Sequence, residues 1–307
     1  MYIIADVGSN WSDKDDCLSS VFYAFKAGAH AVKFQYFNHE KLFGYKGKMA
    51  HCLSKDWLPL LRNKAINHGI DFMVTPFSHK DIKMLNPYVD KWKIASSDLT
   101  YFPLLEAVKE TGKPIIMSTG ASRPKDIEMA MKVLGNHDVT LLYCVSDYPS
   151  IEDDIFHLRH LSETYGVPVG YSDHTTQIFS GILLCELLGG IVYEKHFKIQ
   201  DMKSPDNDHS LDYINFSRMV VRYEHGFNPD RVNNLGETNM HRYHNRRLVV
   251  TKSIKRGDVL VYGFNFGYYR TVVKCEGDYL VDKDAIDGRL AKRFLPSGMS
   301  ICKGDYE

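Results

Sequence analysis

The chain has 307 residues, which is long enough for one large domain or for a large domain with a small companion. Lysine plus arginine equals aspartate plus glutamate at 38 each, so the overall charge predicts neither a nucleic-acid partner nor binding to an anionic membrane. No stretch approaches the apolar length of a membrane span. Any anion that this protein binds must therefore be held by a local site.

The six cysteines are scattered, with no CxxC pair and no dense framework, which favours free thiols in a reducing compartment. The segment MYIIADVGSN has no positively charged stretch and too short an apolar run for a signal peptide. These features predict a soluble, cytoplasmic protein.

Short apolar runs recur up to about residue 197, in the order MYIIADVG, HAVKFQYF, DFMVTPF, KWKIASS, PIIMSTG, VTLLYCVS, VPVGYSD and GIVYEKHF. Most are separated by amphipathic stretches with helical spacing, such as DCLSSVFYAFKAGA and PLLEAVKETGK. Strands that alternate with helices predict a parallel sheet, and eight such units match a (β/α)8 TIM barrel of the α/β class. A doubly wound open sheet is the alternative, but no GxGxxG follows the first strand.

The composition changes after the last apolar run. Residues 198–245 are more polar, with a predicted loop, a helix near 211–224 and a linker at 229–245. Beyond the linker, short strand-like runs are interrupted at Gly257 and Gly263. The sequence therefore predicts a barrel domain at 1–228 and a small β-rich domain at 246–307.

Polar side chains stand at the C-terminal ends of the predicted strands: Asp6, Lys33, Gln35, Thr75, Lys93, Ser96, Ser118, Ser146, His174 and His196. In a barrel these ends converge on one mouth, where the active sites of this fold are found. Lysines inside otherwise apolar runs, as in AVKFQ and KWKIAS, need a partner or a bound anion if they are buried.

The types of side chain at this mouth indicate a metal-assisted reaction on a phosphate-bearing substrate. Two imidazoles on neighbouring strand ends suit a catalytic Mn²⁺, Zn²⁺ or Fe²⁺, although each histidine alone reads equally well as a satisfied core residue. Lysines with serine and threonine hydroxyls suit a phosphorylated, carboxylated anion.

A series of motifs in one order resembles the N-acetylneuraminate (sialic acid) synthase family. ADVGSNW is similar to the family's first-strand motif and AGAHAVKFQ to its A-G-A-x-x-V-K-x-Q; VTPF, KIASSDLTYFPLL, GKPIIMSTG, SDHT and EKHF follow. The terminal segment with SIKRGDVL resembles the antifreeze-like (SAF) domain that these synthases carry. The likeness covers nearly the whole chain.

The resemblance implies condensation of phosphoenolpyruvate with an open-chain N-acylated hexosamine such as N-acetylmannosamine, with release of phosphate and formation of a sialic-acid-like 2-keto-3-deoxy sugar acid. It implies His174 and His196 as ligands of Mn²⁺, or of Mg²⁺ or another divalent cation. It implies a homodimer as well, with an exchanged C-terminal domain as one arrangement.

The resemblance also assigns roles to the other mouth residues. Asp6 and Asp98 stand where the family has glutamates near the reacting carbons. The positions that grip phosphoenolpyruvate are Lys33, Thr75, Lys93, Ser96, Ser118, Ser146 and Ser172, and those that contact the sugar are Gln35, Tyr148, Asp208 and Arg270.

The sequence departs from the family pattern at four places. Trp11 replaces the first-strand histidine, Asp6 and Asp98 are one methylene shorter than glutamate, Ser146 replaces an asparagine, and the R-P-G-N-G loop is lost around Arg270. The departures concentrate around the acceptor, so the sequence supports the donor and the metal better than the sugar.

Three other functions stay open at this point. A Schiff-base aldolase on the same barrel would use Lys33 or Lys93 and would not need the histidine pair. A 3-deoxy-ulosonate phosphate synthase would act on a phosphorylated aldose. A non-catalytic carbohydrate-binding homologue would explain the altered carboxylates.

Overall fold

A computed structural model of the protein describes residues 1–45, 51–151, 154–201, 203–225, 246–269, 280 and 282–307. The chain divides into two compact units, Met1–Gly226 and Phe227–Glu307. The linker predicted at 229–245 lies outside the described residues, so the domain boundaries proposed from the sequence stay predictions.

The first unit alternates strands and helices. Its strands are β1 Tyr2–Gly8, β2 Ala31–Tyr36, β3 Asp71–Pro76, β4 Trp92–Ile94, β5 Ile115–Ser118, β6 Val139–Cys144, β7 Val169–Asp173, β8 Val192–Lys198 and β9 Leu211–Asp212. Its helices are α1 Lys14–Lys26, α2 His39–Phe43, α3 Leu58–His68, α4 Ile82–Leu85, α5 Phe102–Lys109, α6 Pro124–Leu134, α7 His157–Tyr165, α8 Ser180–Leu187 and α9 Tyr213–His225. Single turns of 3₁₀ helix occupy Lys55–Trp57, His79–Asp81, Asn86–Tyr88 and Ser96–Asp98.

The first eight strands pair in parallel, each with the next along the chain, and β1 pairs with β8. Ile4 has Ala31 of β2 as its register partner on one side and Glu194 of β8 on the other. The sheet is therefore closed, and the predicted (β/α)8 barrel is confirmed.

Helix α1 illustrates how the outer layer forms. Its N-cap is Asp13, whose side chain accepts hydrogen bonds from the backbone N–H groups of Asp15 and Asp16. The helix buries Cys17, Ser20, Val21 and Ala24 against the barrel, a spacing that places them on one face. The amphipathic pattern of the sequence thus directs the apolar face of the helix toward the outside of the sheet.

The inside of the barrel is closed at its lower end by a separate apolar layer. The buried members of this layer are Ile4, Ala31, Met73, Ile116, Leu142 and Val192. Gly170 on β7 fits beside them because it has no side chain: a Cβ there would lie 2.2 Å from the carbonyl oxygen of Val192. The barrel floor is therefore filled by packed side chains.

The segment after β8 differs from the prediction at its start. The sequence predicts a helix near 211–224, whereas Leu211 and Asp212 form the short strand β9 beside β8, and α9 begins at Tyr213. The side chain of Asp212 accepts a hydrogen bond from the backbone N–H of Asn215, which helps to start the helix at the next residue, Tyr213.

The second unit has a small core of its own. Strands β10 Arg247–Val250 and β11 Phe266–Tyr269 pair antiparallel, and isolated bridges join Ile254 to Leu295 and Val259 to Leu290. Gly257 and Gly263, where the sequence predicts breaks, both have positive φ. The buried core comprises Leu248, Val250, Ile254, Leu260, Phe266, Ile286, Ala291, Leu295, Met299 and Ile301.

Two further observations bear on the sequence predictions. Among the residues that the structure describes, no helix is long and apolar enough to cross a membrane. The expectation of free thiols holds for Cys17, Cys52, Cys144 and Cys185 but is wrong for Cys302, which is in a disulfide. Sequence spacing cannot reveal such a bond, because pairing depends on which Cα atoms the fold brings within about 7 Å.

Candidate active site

The polar residues at the barrel mouth stand directly above its apolar floor. Successive residues of a strand face opposite sides of the sheet, so residues two apart share a face. Asp6 therefore follows Ile4 into the interior, and Lys33 follows Ala31. The same step on the other strands brings Thr75, Ser118, Cys144, Ser172, Glu194 and, one step higher, His196 into one cavity.

Lys33 lies between two carboxylates inside the barrel. Its ammonium is 2.7 Å from Oδ2 of Asp6 and 3.7 Å from Oε2 of Glu194, and it donates to Oγ1 of Thr75 at 3.3 Å. Burial alone would lower the pKa of Lys33, but Asp6 and Glu194 outweigh burial and raise the pKa above the usual value for lysine. Lys33 is therefore held as a fixed positive charge.

Lys93 lies on the opposite side of Glu194. Its ammonium donates to the Ser118 hydroxyl at 2.7 Å and is 3.5 Å from Oε1 of Glu194. Burial lowers the pKa of Lys93; Glu194 opposes this shift, and the charge of Lys33 adds to it. The two lysines thus share one internal carboxylate, which also accepts a hydrogen bond from the Ser172 hydroxyl at 2.9 Å.

Two histidines rise above this charged layer. His174 follows β7 and shares a hydrogen bond between its Nδ1 and the carbonyl oxygen of Val145, at 2.7 Å. Its pKa is lowered to about 3 by burial and then by the neighbouring His196, so the ring is neutral at pH 7. The ring centroids of His174 and His196 are 5.5 Å apart, and Tyr148 packs 4.3 Å from His174.

The loop between β8 and β9 folds over the mouth and adds an acid and a third imidazole. The backbone N–H of Ser9 donates to Oδ2 of Asp206 at 2.6 Å. Gly8 makes room for this carboxylate, because a Cβ there would lie 2.3 Å from it. The ring of His209 packs 4.4 Å from that of His196, centroid to centroid.

The charges around this loop set its protonation. Burial would raise the pKa of Asp206, but His196 and the hydrogen bonds from Ser9 outweigh burial and lower it. Burial, followed by the charge of His196, lowers the pKa of His209 to about 4. The loop therefore presents a carboxylate and a neutral imidazole at pH 7, which are the forms that bind metal ions.

Most of the residues selected from the sequence line one cavity of about 60 Å³. These are Asp6, Lys33, Gln35, Thr75, Lys93, Ser96, Ser118, Tyr148, Ser172, His174 and His196. Ser146 lines a neighbouring cleft of about 520 Å³ that shares Ala95, Ser96 and Tyr148 with the first cavity.

Two selected residues lie elsewhere, and the position of a third is not described. Asp98 is buried in the 3₁₀ turn after β4, accepts a hydrogen bond from the Ser97 hydroxyl at 3.1 Å and lines neither cavity. Asp208 is exposed and accepts from the side-chain amide of Asn207 at 3.0 Å, whereas Asp206 faces the mouth. Arg270 lies outside the described residues.

Four residues that the fold brings to the mouth have no role in the assignments made from the sequence: Cys144, Glu194, Asp206 and His209. Of these, the sequence counts only Glu194 among the acids expected at the mouth. The signal for Glu194 was present, because it lies two residues before His196 and so faces the same side of β8. No comparable signal exists for Asp206 or His209, whose loop is positioned by Ser9 nearly two hundred residues earlier.

Trp11, which the resemblance places where the family has a first-strand histidine, has a structural part here. It is buried, its indole N–H donates to the carbonyl oxygen of Gly8 at 3.1 Å, and it packs edge-on against Trp57. Its backbone carbonyl in turn contacts the ring Nδ1 of His51 at 2.9 Å. This departure therefore belongs to the packing beneath the loop after β1.

A parallel (β/α)8 barrel whose buried lysines, hydroxyls, carboxylates and imidazoles converge at one mouth has the arrangement found at enzyme active sites of this fold. The NeuB family model matches residues 20–227. An uncharacterised protein of Methanocaldococcus jannaschii is 39% identical, over 71% of this chain and 68% of its own length.

Two relatives carry informative names. The pseudaminic acid synthase of Helicobacter pylori is 32% identical over 82% of this chain and 76% of its own. The crystal structure of N-acetylneuraminic acid (sialic acid) synthetase from Leptospira borgpetersenii, in complex with citrate, superposes with a TM-score of 0.68 at 30% identity; the match covers 78% of this chain and 89% of that one. The chain belongs to the NeuB family.

Family membership confirms the resemblance found in the sequence and the prediction of a synthase-type enzyme on a TIM barrel. The residues assigned to each substrate stay predictions.

Proposed function

We propose that this enzyme condenses phosphoenolpyruvate with an open-chain N-acylated hexosamine and releases inorganic phosphate, leaving a 2-keto-3-deoxy sugar acid. The observation that carries the proposal is the pair of buried lysines at the barrel mouth, each with a hydroxyl partner and with one carboxylate between them. Buried cations of this kind are typical of sites that bind a compact, multiply charged anion.

Phosphoenolpyruvate would bind to the residues that lie nearest the barrel floor. Lys33 and Lys93 offer positive charge, and Thr75 and Ser118, which accept hydrogen bonds from these lysines, offer hydroxyl donors within the same cavity. The Ser172 hydroxyl lines the cavity as well and donates to Glu194. Phosphoenolpyruvate carries a phosphate and a carboxylate, so two separate cationic points suit it better than one. Ser96 and Ser146 add hydroxyls where the small cavity opens into the wider cleft.

A divalent cation fits the upper layer of the site. His174 and His196 would hold it, because Nδ1 of His174 is engaged with Val145 and leaves Nε2 available, while Nδ1 of His196 is buried without a hydrogen-bond partner among the described residues. The chemistry supplied by such a bound ion is Lewis-acid polarisation of the acceptor's aldehyde oxygen. Mn²⁺ is the ion that we propose.

The protein's own carboxylates have a second task in this reaction. A carbon–carbon bond forms between the methylene carbon of phosphoenolpyruvate and the aldehyde carbon, which leaves positive charge at the enol carbon. Asp6 and Glu194 lie beside Lys33 at the depth of the donor and would stabilise that charge. The electron pair of the aldehyde double bond moves to the aldehyde oxygen, which takes up a proton and becomes a hydroxyl. Water then adds to the enol carbon with loss of a proton, and the bond between this carbon and the bridging oxygen of the phosphate breaks, so that phosphate leaves and the keto group forms.

The acceptor is proposed only as a class. The relatives named above make pseudaminic acid and sialic acid, so N-acylated hexosamines are the first candidates. Gln35 and Tyr148 reach the cavity from its rim, and the wider cleft beyond Ser96 supplies volume for a second ligand. Sugar contacts from Asp208 and Arg270, a homodimer and an SAF-type C-terminal domain stay predictions from the resemblance.

Phosphate release from phosphoenolpyruvate, measured with Mn²⁺ over a panel of aldoses, tests the proposal. We expect release with one or a few N-acylated hexosamines, sensitive to chelator and lost in His174→Ala. His160→Ala is the matched control, because His160 is exposed on α7. Release that is insensitive to both chelator and the mutation would contradict the metal assignment, and borohydride trapping of pyruvate on a lysine would instead indicate an aldolase.

A further inference from the structure

His209 joins His174 and His196 above the barrel mouth, so three imidazole rings rather than two lie together there. The ring centroids of His196 and His209 are 4.4 Å apart, those of His174 and His196 are 5.5 Å apart, and those of His174 and His209 are 6.1 Å apart. Imidazoles on one ion, with metal–nitrogen distances near 2.1 Å, hold their centroids roughly 4.5–6.5 Å apart, depending on coordination geometry. The spacing therefore suits a shared ion.

Two buried nitrogens of these rings lack hydrogen bonds among the described residues, and the one on His209 lies 3.6 Å from Oδ1 of Asp206. Nδ1 of His196 and Nε2 of His209 are both buried and have no hydrogen bond within the described part of the chain. A histidine that only fills the core would satisfy its ring nitrogens with a carbonyl or a hydroxyl. Two such nitrogens in adjacent rings indicate a ligand between them.

Asp206 supplies a carboxylate to the same point. One ligand atom each from His196, Asp206 and His209 can be chosen so that all three lie within 4.8 Å of one another. The carboxylate is fixed from outside, because the Ser9 N–H donates to Oδ2 and the Ser9 hydroxyl accepts from the Asp206 N–H at 3.1 Å. A ligand held in this way needs little reorganisation when an ion binds.

We propose that His209 and Asp206, together with His196, coordinate the divalent cation, so that the loop between β8 and β9 is part of the metal site. The inference deepens the proposed function and rests on it for the identity of the site. An imidazole-rich donor set with a single carboxylate selects Mn²⁺, Fe²⁺, Co²⁺ or Zn²⁺ over Mg²⁺ and Ca²⁺, which prefer all-oxygen sites.

Metal binding by the full-length chain tests this without any turnover. The chain is stripped with chelator and titrated with Co²⁺, and affinity is read from competition with a chromophoric chelator and from the visible absorption of bound Co²⁺. We expect His209→Gln and His209→Phe to weaken Co²⁺ at least about tenfold and to change the absorption bands, since even outer partners of metal ligands cost 10–100-fold. His160→Ala should leave both readouts unchanged.

The choice of variants guards against a folding defect. His209→Phe keeps the buried ring volume, and its unfolding midpoint without metal checks the fold. If both His209 variants fail to fold, Asp206→Asn is expected to weaken Co²⁺ to a similar extent. Mg²⁺ at equal concentration should not displace Co²⁺ from the unmodified chain.

The outcomes separate this inference from the proposed function. Co²⁺ affinity and absorption unchanged in the His209 and Asp206 variants would overturn the inference, and chelator-sensitive phosphate release would still support the synthase. Displacement of Co²⁺ by equimolar Mg²⁺ would also overturn it. Weakened Co²⁺ binding in the variants, with no phosphate release from any aldose in the unmodified chain, would support the three-residue site while the proposed function failed.

Discussion

Asp98 illustrates how much a single side chain depends on its surroundings. The sequence places it where the family has a reacting glutamate, yet it is buried in a 3₁₀ turn with the Ser97 hydroxyl as its hydrogen-bond donor and lines neither cavity. Burial raises its pKa to about 6, and the bond from Ser97 opposes this shift only in part. A role near the reacting carbons would require this turn to move.

The raised pKa of Asp98 predicts a particular dependence of stability on pH. An ordinary carboxyl group has a pKa near 4, whereas the pKa of Asp98 in the folded chain is about 6. Between these two pH values Asp98 is protonated in a larger fraction of folded chains than of unfolded chains, so the free energy of unfolding falls as pH rises through that range. Asp98→Asn removes the destabilisation caused by the ionised, buried carboxylate, which is on the order of 1–3 kcal/mol at neutral pH. Urea unfolding at pH 4 to 7 should show that the free energy of unfolding of the variant increases relative to that of the unmodified chain as pH rises. A difference between the two that does not change with pH would contradict the assignment.

At the level of elements, the ends of β7 and β8 carry different chemistry on their two faces. His174 and His196 turn toward the mouth, while Asp173 and Lys195, the preceding residue in each case, turn toward the surrounding helices. Asp173 and Lys195 are fully buried and 2.9 Å apart, and Lys195 also donates to the carbonyl oxygen of Thr175. This ion pair ties together the two strand ends that present the histidines.

Breaking the Asp173–Lys195 ion pair should lower the free energy of unfolding far more than breaking a partly exposed ion pair. Lys195→Met leaves the Asp173 carboxylate buried without its cation and should destabilise the fold by about 3–5 kcal/mol. Lys91→Met, which breaks a partly exposed pair with Asp71, is the matched control at about 0–1 kcal/mol. Urea unfolding measures both, and adding Asp173→Asn to Lys195→Met should recover part of the loss. Equal effects of the two lysine substitutions would argue against a buried ion pair.

At the level of the whole molecule, the site and the second unit are separate parts of the chain. Every described residue of the mouth lies in the unit Met1–Gly226, and the second unit has its own apolar core. Arg270, the residue of that second unit that the resemblance implicates, lies outside the described residues.

Truncation separates the contributions of the two units. A chain of residues 1–226 should bind Co²⁺ with the affinity of the full chain, because all the proposed ligands belong to the barrel unit. If Arg270 contacts the acceptor, the truncated chain and Arg270→Ala should both raise the acceptor KM while the phosphoenolpyruvate KM is kept. Loss of Co²⁺ binding on truncation, with the barrel still folded by circular dichroism, would contradict this division.

The local pattern of the chain determined the architecture and the base of the site. Alternation along each strand and the helical stretches between strands suffice to predict eight parallel βα units. A barrel then requires the strand ends to meet, so the pattern alone suffices to place Lys33, Lys93, His174 and His196 at one mouth. Their burial followed from the apolar residues on either side.

Only the tertiary structure decided which loop residues complete the site. Asp206 rather than Asp208 faces the mouth because Ser9, far away in sequence, holds its carboxylate. His209, three residues further along the same loop, packs against His196, whereas Asp98 is buried in its own short helix and lines neither cavity. Strand periodicity extends only as far as the strand, and the conformation of a loop depends on contacts with distant parts of the chain, which a local pattern does not contain.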